Sequence, residues 1–583
     1  MQMSSVSGSD RISDAAARKG LDMDSFTEHR FTTDLKPGVP GQTLSGLLAR
    51  AAAQCPDAAA IDFLGRRTTY RDLFHAADHA AAGLQEAGMK KGDRIGLCLP
   101  NTPYSVILFF AAQRIGAIVV NINPLYVEHE IHQILLTSGV SVLAVTDLAM
   151  IATPAIAATR NCPIHHIIVC PFTEALPWGK SFLFRAFKSR ELVRFEQDPR
   201  LITFHKLVVT RGLPKPVALD PLKDVAVLQF TGGTTGTPKA AMLTHGNLLA
   251  NLAQIGERIE GALDGPQVIL GVLPLFHVFA MMTVMLLSVD RMGMMVLLPR
   301  FDARATLETL LHNKVTIFPA VPTILTALLR QKDIRPECFA HMTAVISGGA
   351  PLPVALRKQF EETAHCPVIE GYGLSETSPV LTFNPLDNAR DGSCGLPVAG
   401  TELQIRDISP PHHTLSSGQS GEVCVRGPQV MPGYWGGQSL ENPFTEDGFL
   451  RTGDVGYLDD DGYLYLVDRL KDIILCGGYN VYPHVIEEAL YRHPAVLEAL
   501  VIGVPDEYRG QAPKAFVTLK EGVAVTEREL LDHIGQYVSK IERPRQVVFR
   551  EMLPKTLIGK LSRKDLIAQE NLHSNLSPMA EEA

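Results

Sequence analysis

The chain of 583 residues is too long for one ordinary hydrophobic core; at roughly 150 residues per domain it implies three or four units. Its 46% hydrophobic and 20% charged residues, with 47 glycines and 39 prolines, describe a globular protein with many tight connections and exclude a disordered chain. A formal net charge of -8 argues against a nucleic-acid partner, which would call for a basic face, although local basic patches are compatible with it.

The opening MQMSSVSGSDRISDAAARKG carries no apolar core of the signal-peptide kind, and 1–35 reads as a flexible N-terminal extension. From Thr43 to Val145, helical runs (LSGLLARAAAQCPD, SVILFFAAQRIGA) alternate with short β-branched runs (RIGLCLP, IVVNINP). This is the rhythm of an α/β layered fold. Gln113-Arg114 interrupts SVILFFAAQRIGAIVV and Asp290-Arg291 interrupts MMTVMLLSVDRMGMMVLL, so neither apolar run reaches the length of a membrane span. Segment 176–195, LPWGKSFLFRAFKSRELVRF, interleaves Trp178, Phe182, Phe184, Phe187 and Phe195 with Lys180, Arg185, Lys188, Arg190 and Arg194. The pattern suits an interfacial helix in peripheral contact with a bilayer, or a surface helix folded onto its own domain.

The α/β rhythm returns from Asn247 to Val380, with ATLETLLHNK as a helix and VTIFPAV and TAVISGG as strands. Between Asp387 and Asp468, short glycine-broken strands (ELQIRD, GEVCVRG, FLRTGDVGYLDDDGYLYLVD) predict a small β-rich subdomain. After DRLKD comes a compact α+β tail, with HVIEEALYRHP and ERELLDHIGQYVSK as helices and EALVIGVPD and KAFVTLK as strands. The expected fold class is therefore α/β. A large N-terminal domain (36–467) holds two α/β layered halves and a β-rich subdomain (about 387–467); a hinge (468–472) and a small α+β C-terminal domain (473–583) follow. The nine cysteines include no C-x-x-C pair, so reduced thiols in a cytoplasmic protein are the plain reading.

The stretch TGGTTGTPK, Thr231 to Lys239, poses the functional question. Consecutive N–H groups of glycine-rich turns form anion-binding concavities, and Thr231, Thr234, Thr235 and Thr237 add hydroxyl donors, so phosphate is the natural guest. It is not a Walker loop, because Pro238 precedes Lys239 and no hydroxyl residue follows the lysine. Taken alone it has a plain alternative, a hydroxyl-rich turn between VAVLQF and a helix beginning near His245.

Six further motifs follow in order: SGGAPLP (347–353), EGYGLSETSP (370–379), RTGDVG (451–456), DRLKD (468–472), GGYNVYP (477–483) and PKTLIGKLSRK (554–564). Over about residues 40 to 570 their order and spacing resemble the adenylate-forming (ANL) superfamily of acyl-CoA synthetases, peptide-synthetase adenylation domains and firefly-type luciferases. Within it, the chain is similar to bacterial long-chain fatty acid–CoA ligases. The resemblance implies ATP and Mg2+, a fatty acid as substrate, CoA as co-substrate, and a small domain that moves. Thr231, Gly232, Gly233, Thr234, Thr235 and Gly236 would grip the β- and γ-phosphates of ATP, with Lys239 as an accessory. Gly348, Gly349 and Ala350 would let backbone approach an adenine ring to which Tyr372 offers its aromatic face, and Glu370, Gly371 and Gly373 would also serve cofactor binding; Gly348, Gly349, Ala350 and Gly371 would flank the acyl cavity as well. Ser375 would donate to the α-phosphate, Glu376 would hold magnesium, and Asp454 would accept the ribose hydroxyls with Arg469 opposite.

By the same resemblance Lys471 is the hinge, Gly477, Gly478 and Tyr479 serve CoA, and Phe276, His277, Val278 and Met281 line the acyl pocket. Lys560 would meet the substrate carboxylate and the α-phosphate, making Lys560, Glu376 and Thr231 the catalytic set. A carboxylate ionised at neutral pH needs neutralisation and positioning more than a base, and one ammonium supplies both. The residues also admit plainer readings: Tyr372 as a core tyrosine, Asp454 as a turn aspartate, Arg469 and Lys471 in a solvated turn, Lys560 as a surface lysine beside Lys555, Arg563 and Lys564. His277 is either a gate between substrate pockets or a satisfied core histidine. Val485 stands where many relatives have glutamate, which questions a local helix contact, while Glu487 is kept. Rival functions are an aryl- or cinnamoyl-type acid–CoA ligase, acyl transfer to a separate carrier protein, and a noncatalytic lipid-binding paralogue. A homodimer is left open.

Overall fold

The computed structural model describes residues 43–195, 198–209, 212–231, 238–262, 265, 267–436, 442–477, 479–556 and 560–576. The first described helix, Leu44–Gln54, shows the local logic. Thr43 accepts a hydrogen bond from the Gly46 N–H at the helix start, and Leu44, Leu47, Leu48 and Ala51 form its buried stripe. The helix Pro103–Ile115 is different, with eleven of its residues buried. An apolar run that resembles half a membrane span is thus an internal helix, and among the described residues no helix is long and apolar enough to cross a membrane.

Two large sheets organise the N-terminal part. The first has seven strands in the spatial order Leu201–Thr203, His166–Cys170, Val142–Thr146, Arg94–Cys98, Ile118–Asn121, Val225–Thr231 and Lys239–Thr244. All pair in parallel except the last, which returns antiparallel on Val225–Thr231 with Thr231 opposite Lys239. The sequence TGGTTGTPK therefore spans a hairpin, and a strand intervenes before the helix His245–Arg258. The second sheet has nine strands: Leu396–Pro397, Val380–Phe383, Val368–Gly373, Ala344–Gly348, Ile317–Ala320, Val268–Gly271, Met294–Leu297, Ala59–Phe63 and Arg66–Thr69.

The two halves are interwoven, which corrects the sequential picture of a first half from Thr43 to Val145. Ala59–Phe63 lies early in the chain yet pairs in parallel with Met294–Leu297 of the second sheet. Periodicity assigns an element its type; the edge that accepts it is set by long-range pairing.

A four-stranded antiparallel sheet follows, Glu402–Arg406, Gly421–Arg426, Leu450–Leu458 and Leu464–Arg469. It begins at Glu402, later than 387, because Leu396–Pro397 still caps the nine-stranded sheet. The turn Leu470–Asp472 leads into the C-terminal sheet of Tyr479–Val481, Ile474–Cys476, Gly510–Leu519 and Val496–Asp506, with Gln546–Phe549 added in parallel on Gly510–Leu519. That sheet has its own core, including Ile474, Val481, Ile486, Leu490, Val501, Val517 and Leu530.

Candidate active site

The site lies where Ala344–Gly348 and Val368–Gly373 end side by side, with Gly348 opposite Gly371. Ends of parallel strands are where open α/β sheets bind ligands. Glycines here answer crowding: a methyl on Gly373 would sit 1.8 Å from the Pro379 carbonyl oxygen, and one on Gly371 2.8 Å from Phe383 Cδ2. Tyr372 between them donates its hydroxyl to Asp454 Oδ2 at 2.6 Å. Burial and the Asp454 charge hold that phenol well above its ordinary pKa, so it stays a donor. Asp454 in turn pairs with Arg469 Nε at 2.9 Å, across the register that sets the two opposite each other on neighbouring strands. Tyr372 is thus one member of a triad with Asp454 and Arg469, in which Asp454 is buried, Tyr372 half-buried and Arg469 reaches in from an exposed position.

Lys560 comes to this triad from the C-terminal domain. Its N–H donates to Thr556 Oγ1 at 3.1 Å and its carbonyl accepts the Thr556 N–H at 2.6 Å. A methyl on Gly349, whose φ is +81°, would lie 3.0 Å from Lys560 Cε and 3.5 Å from Nζ, so the lysine lies along the backbone of the SGGAPLP turn. Burial pushes the Lys560 ammonium down to about 8, the Arg469 guanidinium adds to the depression, and Asp454 opposes it. His277 lies within electrostatic reach: burial first and the Lys560 charge second push its imidazole down to about 3. It is neutral, and its Nδ1 accepts the Phe279 N–H at 3.3 Å, capping the turn Val278–Ala280.

On the phosphate side, Thr231 Oγ1 donates to the Lys239 carbonyl at 3.4 Å. Gly232, Gly233, Thr234, Thr235 and Gly236 lie outside the described residues. Lys239 Nζ sits over the Tyr434 ring, 5.4 Å from its centroid, and the Tyr434 hydroxyl donates to Glu376 Oε1 at 2.8 Å. Met431 N–H binds the Glu376 carbonyl at 2.8 Å, and Ala241 bridges to Tyr434, so the segment around 431–435 fastens the Glu376 turn to the hairpin. Ser375 and Glu376 share the single 3-10 turn Ser375–Thr377. Sequence reasoning missed Tyr434. Its one signal is an aromatic pair between glycines in MPGYWGG.

Glu370, expected among the cofactor-binding residues, accepts the Leu352 N–H at 3.1 Å. Burial pushes its carboxyl up to about 8, against the Leu352 N–H, His484 and Arg357. His484 belongs to the C-terminal domain, so Glu370 is also an interdomain residue. The His484 N–H donates to Asp468 Oδ2 at 2.8 Å. Arg563 Nη2 donates to both Glu487 carboxylate oxygens at 2.7 Å, Glu487 Oε1 also accepts the Val501 N–H at 2.8 Å, and Arg563 Nη1 reaches Asp472 at 3.4 Å. Glu487 thus ties the helix Pro483–Tyr491 to Arg563 and to the strand Val496–Asp506. Lys471 stands in the turn Leu470–Asp472, between the two sheets it would let move.

Gly477, with φ +59°, begins the hairpin turn before Tyr479; Gly478 lies outside the described residues. Tyr479 is 64% exposed on the C-terminal domain, and this arrangement brings Lys560 to the site instead of that loop. Of the residues expected to line an acyl pocket, Val278 and Met281 are fully buried, and the Phe276 carbonyl accepts Gln229 Nε2 at 3.2 Å. Asn121 Nδ2 donates to Gln229 Oε1 at 3.1 Å and contacts Met281 Sδ at 3.6 Å. Phe279 faces Gly348, where a methyl would stand 3.2 Å from its Cζ.

Residues 48–435 match the AMP-binding enzyme family and residues 485–560 the AMP-binding enzyme C-terminal domain, so the chain belongs to the AMP-binding enzyme family. It is 38% identical over 542 residues to a long-chain-fatty-acid–CoA ligase of Bacillus subtilis (strain 168), covering 91% of this chain and 95% of that protein. It is 33% identical to 4-coumarate–CoA ligase 3 of Oryza sativa subsp. japonica, covering 87% and 88%. Among solved structures it resembles the anthranilate CoA ligase AuaEII in complex with anthranoyl-AMP, with a TM-score of 0.80, 26% identity, and coverage of 93% and 99%.

Proposed function

We propose that this member of the AMP-binding enzyme family activates a long-chain fatty acid with ATP and then transfers the acyl group to CoA. The observation that carries the reading is Lys560, delivered by a separate domain onto Gly349 beside the Tyr372–Asp454–Arg469 triad. The likeness to long-chain-fatty-acid–CoA ligases over nine-tenths of the chain supports the substrate class.

In the first step a carboxylate oxygen attacks the α-phosphorus in line, an O–P bond forms, and pyrophosphate leaves with the electrons of the broken bond. Lys560 neutralises charge at the carboxylate and the α-phosphoryl oxygens, and the donors need no rearrangement as charge develops. Asp454, its orientation fixed by Tyr372 and Arg469, suits the ribose hydroxyls as an acceptor-only group. Glu376 would hold the magnesium ion, which takes one or two carboxylates and fills its other positions with phosphate oxygens and water. A single carboxylate oriented by Tyr434 fits that demand, and the ion, when bound, offsets triphosphate charge. In the second step the CoA sulfur attacks the acyl carbon and AMP leaves. For this the C-terminal domain would turn about Lys471, withdrawing Lys560 and presenting the 477–479 loop.

Free cysteines throughout suit a cytoplasmic setting. The test is a pyrophosphate-release screen over fatty acids of graded chain length and over aryl acids, with CoA or a carrier protein as acceptor. Release with long-chain acids and thioester formed on CoA is the expected result. No release with any fatty acid, or release with aryl acids alone, overturns the reading.

A further inference from the structure

The helix Trp178–Phe187 has no buried residue, yet its sequence is rich in aromatic side chains. Trp178 is 87% exposed, Phe187 83%, Phe182 64% and Leu183 54%. Large apolar side chains clustered this way on one surface mark an interaction site, since isolated exposures would be scattered. The helix is held to the protein by its other side: the Phe184 ring meets Phe172 at 5.4 Å, and Phe172 meets Phe63 at 6.1 Å. At about 100° per residue, Trp178, Phe182, Ala186, Gly179, Leu183 and Phe187 then fan across an outward arc roughly 180° wide, with Arg185 at one edge and Lys180 at the other. The apolar face therefore points away from the domain and is bordered by cations.

The basic border continues beyond the helix. Lys188, Arg190 and Arg194 are exposed just after it, and segment 176–195 holds five basic side chains against one acidic, in a chain whose net charge is -8. The hairpin tip with exposed Arg66 and Arg67 packs alongside: Lys180 Nζ donates to the Leu64 carbonyl at 2.9 Å, and the Arg66 guanidinium donates to the Glu174 carbonyl. Trp178 and Phe182 stack on each other, 6.4 Å apart, at the solvent side of this ring of charge.

We infer that this face docks on an anionic lipid bilayer, with Trp178, Phe182, Leu183 and Phe187 at the acyl–headgroup boundary and the arginines and lysines on the headgroups. The charge distribution selects the occupant. A second copy meeting through the same patch would set basic border against basic border, because a two-fold interface pairs each residue with its own surroundings. An anionic bilayer complements both parts, since aromatic rings settle at the membrane interface and each nearby Lys or Arg adds attraction. The surface is independent of the catalytic residues, so the inference stands whichever acid the site activates.

The full-length protein is mixed with vesicles of phosphatidylcholine alone or with about 30 mol % phosphatidylglycerol, and binding is read by co-sedimentation and tryptophan emission. Only Trp178 and Trp435 contribute emission. Anionic vesicles should retain the protein at least about tenfold better than neutral ones, shift the emission to the blue and shield it from acrylamide. Trp178→Phe should bind but lose the spectral change. The double variant Phe182→Ser/Phe187→Ser should lose about tenfold or more in partitioning, and Arg190→Glu or Arg194→Glu about fivefold each, as should about 0.5 M NaCl. All five positions are outside the proposed catalytic site, so pyrophosphate release with a soluble acid serves as the folding control. Absence of binding to anionic vesicles overturns the inference. So does a solution mass that falls from dimer to monomer in the double variant while vesicle binding is unchanged.

Discussion

Removing the Lys560 ammonium should separate the two half-reactions. Lys560→Ala deletes the cation at the α-phosphoryl group, and loss of one preorganised donor to a developing oxyanion costs about 10²–10³ in rate. Pyrophosphate release should fall by that factor, while thioester formation from supplied acyl-adenylate and CoA stays within about threefold, because the proposed domain rotation withdraws Lys560 for that step. The wild type carries a pH signature of the same group. Burial and Arg469 lower the lysine from its ordinary 10.5 to about 8, against Asp454, on the order of 3 kcal/mol against the charged form. A lowered lysine pKa means the cation is fully present below about 8 and lost as pH rises through it. The kcat/KM for ATP, which reports free-enzyme groups, should therefore decline above pH about 8, roughly tenfold per pH unit. The kcat should hold its plateau to higher pH, since bound phosphates return counter-charge to the ammonium. His277 is already neutral in that range and contributes nothing to the limb. Equal loss of both half-reactions in Lys560→Ala, or a kcat/KM profile flat from pH 7 to 10, would refute the reasoning.

Proline at Lys471 fixes φ in the turn Leu470–Asp472, so thioester formation from acyl-adenylate should fall about tenfold or more with pyrophosphate release retained; unchanged thioester formation counts against a hinge. Tyr434→Phe removes the 2.8 Å donor to Glu376, and since a hydrogen bond to a charged group contributes about 1.5–3 kcal/mol, the magnesium half-saturation point should rise about tenfold or more. A magnesium titration that matches the wild type would show that Tyr434 does not position Glu376. Gly373→Ala drives a methyl to 1.8 Å from the Pro379 carbonyl, a backbone clash that should cost about 1–3 kcal/mol of stability and lower the thermal midpoint. An unshifted midpoint would mean that the SETSP turn relaxes freely.

The candidate site residues could be singled out because each sits in a short local pattern: Tyr372 among glycines, Asp454 after Thr452-Gly453, Lys560 after Gly559. Their gathering was not, for 82 residues separate Tyr372 from Asp454, and only the strand register of Asp454 with Arg469 completes the triad. Tyr434 lay out of view for the same reason: its partners Lys239 and Glu376 are set by a bridge to Ala241 that no periodicity records. Strand Ala59–Phe63 was not singled out from the sequence, and its place in the second sheet depends on Met294–Leu297. In segment 176–195 the aromatic and basic spacing was plain, but a helix wheel does not say which face meets solvent; the Phe184–Phe172 contact does.

The direction of three pKa shifts explains why the proposed catalytic lysine belongs on a domain that moves. Glu370 is pushed up to about 8, and His277 and Lys560 are pushed down to about 3 and about 8, each with burial as the leading cause. Every one of these groups is driven toward its neutral form, so the closed arrangement without nucleotide is short of negative charge for Lys560; Asp454 already serves Arg469 at 2.9 Å. ATP and the fatty carboxylate supply that charge together, which couples closure of the C-terminal domain to the presence of both substrates. Adenylation then removes most of it, because the carboxylate becomes a neutral acyl group and pyrophosphate departs. In the proposed cycle the buried ammonium loses its partners as a direct product of the chemistry, and opening about Lys471 would return it to water. A lysine fixed on the large domain would have to stay buried and unpaired through the thiol step, a charge left without compensation at a cost of about 3–5 kcal/mol.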